Sequence, residues 1–346
     1  MLQELVLQKA SNLQNITVQP NVHLNRLEVY ECQLSIVPPS LRNLLALKVL
    51  TIKDCTLKVL QLALLATFRR LDVVSFASNH IAEIMPAASN ATLTITTLDL
   101  SVNRLQQLTP KQFVPLRKLR VLNLQQNQLR AIVAQQPGDV ITLPSLNILN
   151  LSKNKLQTMD FRQLKVPNLQ YLELSSNEFP NLPSAVASLT KLEILSLSQN
   201  AIAELDFTEL RKLRALSSLG LNENRLRRVW ASDTMELPSL STLLLATNQL
   251  KTVELQQLTA PLLAIVDLTG NRLTTIPESF LEGDRAVQLE SLVVSGNPLT
   301  CATLERYRSN LERGQVETQW LLSTTEFCTT EQYFVLDEKR KSCCAA

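Results

Sequence analysis

The sequence predicts an α/β solenoid, a parallel sheet built by stacking near-identical coils, and three observations carry that reading. An apolar-x-apolar core recurs along the chain with an Asn or Cys three residues after its second apolar position. From Cys32 to Asn297 the marker residues are spaced 23, 24, 24, 24, 27, 23, 23, 24, 24, 23 and 26 apart. Hydrophobic residues make up 45% of the 346 while aromatics are 4%, so leucine fills the core. Self-similarity at a fixed period marks an array in which each coil contacts only its neighbours and one body grows along a single axis.

The frame is complete at Leu119-x-x-Leu122-x-Leu124-x-x-Asn127-x-Leu129. It repeats at Leu98/Leu100/Asn103, Leu149/Leu151/Asn154, Leu172/Leu174/Asn177 and Leu195/Leu197/Asn200. It continues at Leu219/Leu221/Asn224, Leu243/Leu245/Asn248, Val266/Leu268/Asn271 and Leu292/Val294/Asn297. Upstream it weakens through Val74/Phe76/Asn79, Leu50/Ile52/Cys55 and Leu27/Val29/Cys32 to a ragged copy at Leu2/Leu5/Leu7. The alternation within each copy predicts a short strand with one buried face. One frame per coil gives about 13 coils, wound right-handed into a horseshoe with a concave parallel sheet. Asn at the marker position carries donors and acceptors for backbone groups where the chain turns inward, and stacked copies form a ladder. Leaving such groups unpaired costs roughly 1–3 kcal/mol each. Cys32 and Cys55 occupy ladder slots; we read them as buried thiols in place of Asn, with a bridge between adjacent coils as the alternative.

The return segments carry Phe113 and Phe280 after Pro110-Lys111-Gln112 and Pro277-Glu278-Ser279, whereas Pro38-Pro39-Ser40-Leu41 and Leu182-Pro183-Ser184-Ala185 follow another pattern. Gln135-Gln136-Pro137-Gly138-Asp139 reads as a turn-forming insertion. The coils span 1–299 and a cap spans 300–346. The chain enters mid-repeat at Leu2, which suggests that an upstream cap has been removed. After Cys301 a helix is expected through Leu304, Tyr307 and Leu311. Cys301, Cys328, Cys343 and Cys344 lie in the cap, with neither C-x-x-C spacing nor a nearby His for a metal. Vicinal Cys343 and Cys344 rarely bond to each other, so each is expected to pair with Cys301 or Cys328. The assignment stays open, as does a bridge to a second chain.

Other functions find no residues. Glycine numbers 6, and no phosphate-binding loop, dinucleotide fingerprint, zinc signature or nucleophile elbow occurs. His23 and His80 carry no attached carboxylate or nucleophile, so we assign no catalytic, cofactor or metal residues. Thirty-four basic against 31 acidic residues leave a net charge of +3, too little to argue for nucleic acid. No stretch approaches the ~20 apolar residues of a membrane span. Leu71-Asp72-Val73 has the letters of an integrin motif, but Leu71 is a core position.

The frame instead supplies a binding face. Early coils present Arg26, Glu28, Tyr30, Glu31, Lys48, Thr51, Lys53 and Asp54; central coils Asp99, Asn123, Gln125, Gln126, Tyr171 and Glu173. Late coils place Leu244, Ala246, Ile265 and Val293 where polar residues are ordinary, and exposed apolar groups on a sheet are candidate contacts. Asn15, Asn90 and Asn150 are glycosylation acceptors by sequence.

The frame identifies the chain as a member of the leucine-rich-repeat superfamily, and its Asn-Pro-Leu-x-Cys cap opening resembles those of extracellular members. Gly296-Asn297-Pro298-Leu299-Thr300-Cys301-Ala302-Thr303-Leu304, a lone Cys328 and the Cys343-Cys344 pair resemble, in order, the cap of the secreted mosquito leucine-rich immune proteins. That resemblance implies a haemolymph protein of innate immunity, a disulfide-linked homo- or heterodimer with another such chain, and a complement-like thioester protein as cargo. Family members continue past the double cysteine into a coiled coil, whereas this sequence stops at Ala346; either it is a short member or the coiled coil was removed. An extracellular enzyme inhibitor or adhesion module and a cytosolic scaffold with reduced cysteines are the competing readings.

Overall fold

The computed structural model describes residues 2–88, 90–132, 140–281, 289–319, 332–337 and 339–345. The chain forms two compact units, Met1–Glu178 with Pro183–Leu189, and Phe179–Leu182 with Thr190–Ala346.

In the first unit, parallel strands pair in chain order: β1 (Glu4–Leu7), β2 (Arg26–Tyr30), β3 (Val49–Lys53), β4 (Val73–Ser75), β5 (Thr97–Asp99), β6 (Val121–Asn123), β7 (Ile148–Asn150) and β8 (Tyr171–Glu173). Leu5, Leu27, Leu50, Val74, Leu98, Leu122, Leu149 and Leu172 are mutual register partners. From Leu27 onward each is buried to 2% exposure or less. A side-chain period of two fixes this register, because a one-residue slip would turn every one of these leucines to solvent. The return segments are short: α1 (Leu62–Leu65), α2 (Pro110–Phe113) and 3-10 turns, with Leu41 and Phe113 among the buried residues.

The second unit repeats the scheme with β9 (Ile194–Ser196), β10 (Ser218–Gly220), β11 (Thr242–Leu244), β12 (Ile265–Asp267), β13 (Ser291–Val293) and β14 (Val316–Glu317). Its core line runs Leu195, Leu219, Leu243, Val266, Leu292 and Val316. The last strand belongs to the cap, which therefore continues the sheet and covers its final edge. The helix expected through Leu304, Tyr307 and Leu311 is two, α3 (Cys301–Arg306) and α4 (Arg308–Glu312). Tyr307 leaves helical geometry between them (φ −103°, ψ 20°), yet Leu304 and Leu311 are buried as their stripe requires. Thr300 caps α3 by accepting from the Thr303 N–H at 3.1 Å. The antiparallel pair β15 (Tyr333–Val335) and β16 (Lys341–Cys343) completes the cap. A disulfide joins Cys301 to Cys344, with Cα atoms 5.0 Å apart. Cys343 is disulfide-bonded as well; Cys328, like the Gln135–Asp139 insertion, lies outside the described residues.

The asparagine ladder exists in both units. Asn103 Nδ2 donates to Phe76 O at 2.9 Å and Leu100 O at 3.1 Å, while its Oδ1 accepts from Ile81 N–H of the preceding coil. Asn248 does the same with Leu221 O, Leu245 O and Leu226 N–H. Each residue before the ladder slot from Glu31 to Gly296 is left-handed, with φ between 53° and 68°. Only Gly270 and Gly296 meet that demand without a Cβ; Val102 and Thr247 meet it with β-branched side chains.

Cys32 and Cys55 are not thiols. Strand pairing sets the two slots side by side, their Cα atoms come to 4.5 Å, and a disulfide closes between adjacent coils.

Candidate protein-interaction faces

Residues that alternate with the core leucines form three rows on the outer strand face of each unit. In the first unit the rows carry charge, and the charges answer one another. Arg26 Nη1 donates to Glu28 Oε1 at 2.9 Å, and Arg26 Nε lies 3.5 Å from Glu4 Oε1. The Tyr30 hydroxyl donates to Glu28 Oε2 at 2.8 Å. The bonds from Arg26 and Tyr30 hold the Glu28 carboxyl below its ordinary range. Burial, then the Glu28 bond, raises the Tyr30 phenol. Further along, Lys53 Nζ lies 3.6 Å from Asp99, which also accepts from the hydroxyls of Ser75 and Ser101. Tyr171 and Glu173 repeat the tyrosine-to-glutamate pair at 3.3 Å, and burial raises that phenol too. Thr51 is on this face but only 7% exposed.

Several residues singled out by sequence also hold the backbone. Asp99, Asn123, Asn150 and Glu173 each accept from the N–H two residues on, at 2.8–3.1 Å, and so cap the turn by which the strand ends. Asp267 does so in the second unit, from Thr269 N–H at 2.9 Å. The signal was present in the sequence: an acceptor side chain stands four residues before the ladder Asn in each of these coils. Leu244 cannot fill that role, and Asn222 of the preceding coil takes the Ala246 N–H instead, at 2.8 Å.

The second unit's face is different in kind. Ser196, Gly220, Leu244, Asp267, Val293 and Glu317 form its middle row. Thr242, Ile265 and Ser291 lie in the row before it. Ile265 is 40% exposed and Leu244 and Val293 are half-exposed, so no described cap residue buries them. His23 is exposed and His80 half-buried. Asn15 and Asn90 are exposed, while Asn150 is half-buried with its Oδ1 engaged by Ser152. Among the described residues, no helix is long and apolar enough to cross a membrane.

The leucine-rich-repeat family model matches residues 69–129 and 167–226. These coils are leucine-rich repeats. Sequence comparison with curated proteins finds no match. Among solved structures, a leucine-rich-repeat protein of Leptospira interrogans is similar at 22% identity and a TM-score of 0.64, covering 92% of this chain and 90% of that one. The mosquito LRIM1/APL1C complex is similar at 18% identity and a TM-score of 0.68, covering 98% of this chain and 68% of that one. The APL1 leucine-rich-repeat domain matches at 17% identity and a TM-score of 0.60, over 99% and 97%. At these identities the likeness is one of fold, the leucine-rich-repeat scaffold on which protein interaction is the usual activity.

Proposed function

We propose that this leucine-rich-repeat chain is a secreted recognition module of innate immunity that works by binding protein, with no catalytic step. The observation that carries the proposal is the cap: Cys301 bonded to Cys344 within a Gly-Asn-x-x-x-Cys-x-Thr-Leu opening. The fold likeness to the LRIM1/APL1C complex over 98% of the chain supports it. Two disulfides among the described residues favour an oxidising compartment over a cytosolic scaffold. In this reading residues 1–299 form the coils and 300–346 belong to the cap, and Asn15 and Asn90 carry glycans. The chain pairs with a second leucine-rich-repeat chain and holds a complement-like thioester protein.

The test is secretion from insect cells, thiol labelling under denaturing conditions without reductant, and cross-linking mass spectrometry after incubation in mosquito haemolymph. The expected result is no labelled cysteine and cross-links to a thioester-containing protein. Six labelled cysteines would remove the extracellular reading, and an absence of thioester-protein cross-links would remove the immune cargo.

A further inference from the structure

The second unit's strand face carries two acidic side chains that have no basic partner among the described residues. Asp267 and Glu317 stand in one row on either side of Val293, two strand spacings apart, or roughly 9–10 Å. Asp267 gives one oxygen to Thr269 N–H, and Glu317 accepts from the Ser291 hydroxyl at 2.9 Å. Among the described residues neither has a basic partner. On the first unit's face Arg26 pairs with Glu28 and Lys53 with Asp99, and Glu173 takes the Tyr171 hydroxyl. Beside the two carboxylates lie Ile265, exposed to solvent, and Leu244 and Val293, half-exposed. Their neighbours are Thr242, Ser291 and Gly220, too small to fence off an incoming side chain.

From this charge complementarity we infer that the face docks a cationic segment of a partner protein, one with an aliphatic residue between two Lys or Arg side chains. The aliphatic residue seats on Leu244, Ile265 and Val293, and the two cations reach Asp267 and Glu317. A row with carboxylates on both sides of an apolar centre repels acidic peptides and anionic lipid, and a neutral apolar peptide would leave both carboxylates without a counter-charge. The inference rests on the protein-binding reading above but not on the identity of the cargo.

The experiment uses the full chain and a fluorescein-labelled peptide with Lys-Ala-Leu-Ala-Lys at its centre, followed by fluorescence anisotropy. Two control peptides replace both Lys by Glu, or Leu by Ser. The expected result is saturable binding of the Lys peptide, none of the Glu peptide, and about tenfold weaker binding of the Ser peptide. Asp267→Asn with Glu317→Gln keeps both hydrogen-bond acceptors, so the turn and the Ser291 contact survive. That variant should bind the Lys peptide about tenfold more weakly. It should also lose most of the weakening that 1 M salt imposes on the parent, since salt shortens the screening length to about 3 Å. No saturable binding of the Lys peptide by the parent chain at millimolar concentration, equal binding of the Glu peptide, or unchanged affinity in the double variant would each overturn the inference. Thioester-protein cross-links obtained alongside a failed peptide test would leave the immune reading standing and remove only this face.

Discussion

Replacing Asn127 by Ala tests what the ladder contributes, and the size of the effect follows from counting partners. Asn127 Nδ2 donates to Leu100 O at 2.9 Å, Leu124 O at 3.1 Å and Gln125 O at 3.4 Å. All three carbonyls keep another donor when the amide is removed: Asn103 Nδ2, Asn154 Nδ2 and Val102 N–H respectively. The Leu105 N–H does not, because Asn127 Oδ1 at 3.0 Å is its partner and Leu105 is 1% exposed. One stranded buried donor costs about 1–3 kcal/mol, and three weakened carbonyls add about 0.5 kcal/mol each, so a loss of about 2.5–4.5 kcal/mol is expected. Asn127→Asp separates the two halves of the role. It keeps an acceptor for Leu105 but sets a carboxylate against three carbonyls, so its folded-state pKa rises above the unfolded value. Its stability is then fully present below the unfolded pKa and is lost as pH rises through the folded one. The assay is urea unfolding by circular dichroism at pH 4 and pH 7, with amide hydrogen exchange at Leu105 as the local readout, because an array need not unfold in one step. Asn127→Ala should expose the Leu105 amide; Asn127→Asp should protect it and recover on acidification. A change below about 1 kcal/mol in Asn127→Ala, or unaltered exchange at Leu105, would refute the partner count.

Breaking the Cys32–Cys55 bridge with Ser at both positions opens a 23-residue loop and should cost about 3 kcal/mol in urea unfolding; an unchanged midpoint would show that the coils hold without it. Val102→Gly should stabilise by about 1 kcal/mol, because Val102 sits at φ 55° and is 38% exposed, so relief of the left-handed strain outweighs the added freedom of the unfolded chain and the burial lost. Glu28, held below its ordinary range by Arg26 and Tyr30, contributes stability present above the unfolded carboxylate pKa and lost as pH falls through the folded one. Glu28→Gln should therefore flatten the acid side of a Tm-versus-pH curve, and an identical slope would count against the Arg26–Glu28–Tyr30 network. Asn15→Gln and Asn90→Gln should each remove one glycan mass from protein secreted by insect cells; masses equal to the parent's would remove those acceptors.

The strands were legible because one rule, alternate burial, repeats in every coil, and the leucine lines from Leu27 to Leu172 and from Leu195 to Leu292 follow it. The ladder was legible for a chemical reason, since Asn at a regular place in an apolar frame has to serve backbone groups. Less legible was anything that depends on distance across coils. Cys32 and Cys55 look like two isolated ladder residues in the chain, and only strand pairing brings their Cα atoms to 4.5 Å. The break at Tyr307 left no mark on the Leu304 and Leu311 stripe, because periodicity reports which side chains are buried and not whether the backbone between them stays helical. Asp99, Asn123 and Glu173 were visible as face residues, but their second occupation, capping the strand-end turns, competes with the ligand role that their position suggests.

That competition bears on which face generates affinity. In the first unit a partner that engages Glu28 or Asp99 must first displace Arg26, Tyr30, Lys53 or Ser75, so much of what it gains replaces a bond already made. Such a face discriminates, because a mismatched partner strands a charge, but it yields little net binding energy. In the second unit the inferred partner meets carboxylates that lack a basic partner among the described residues and aliphatic groups exposed or half-exposed, so contact there displaces water and relieves uncompensated charge. The same coil frame thus supports two surfaces with separable roles. Charge-neutral substitutions on the first face should alter partner choice more than strength, as Lys53→Met paired with Asp99→Asn would show. Leu244→Ser with Ile265→Ser should weaken every partner of the second face alike. Selectivity and affinity moving together in both variants would mean that the two faces do not divide the work in this way.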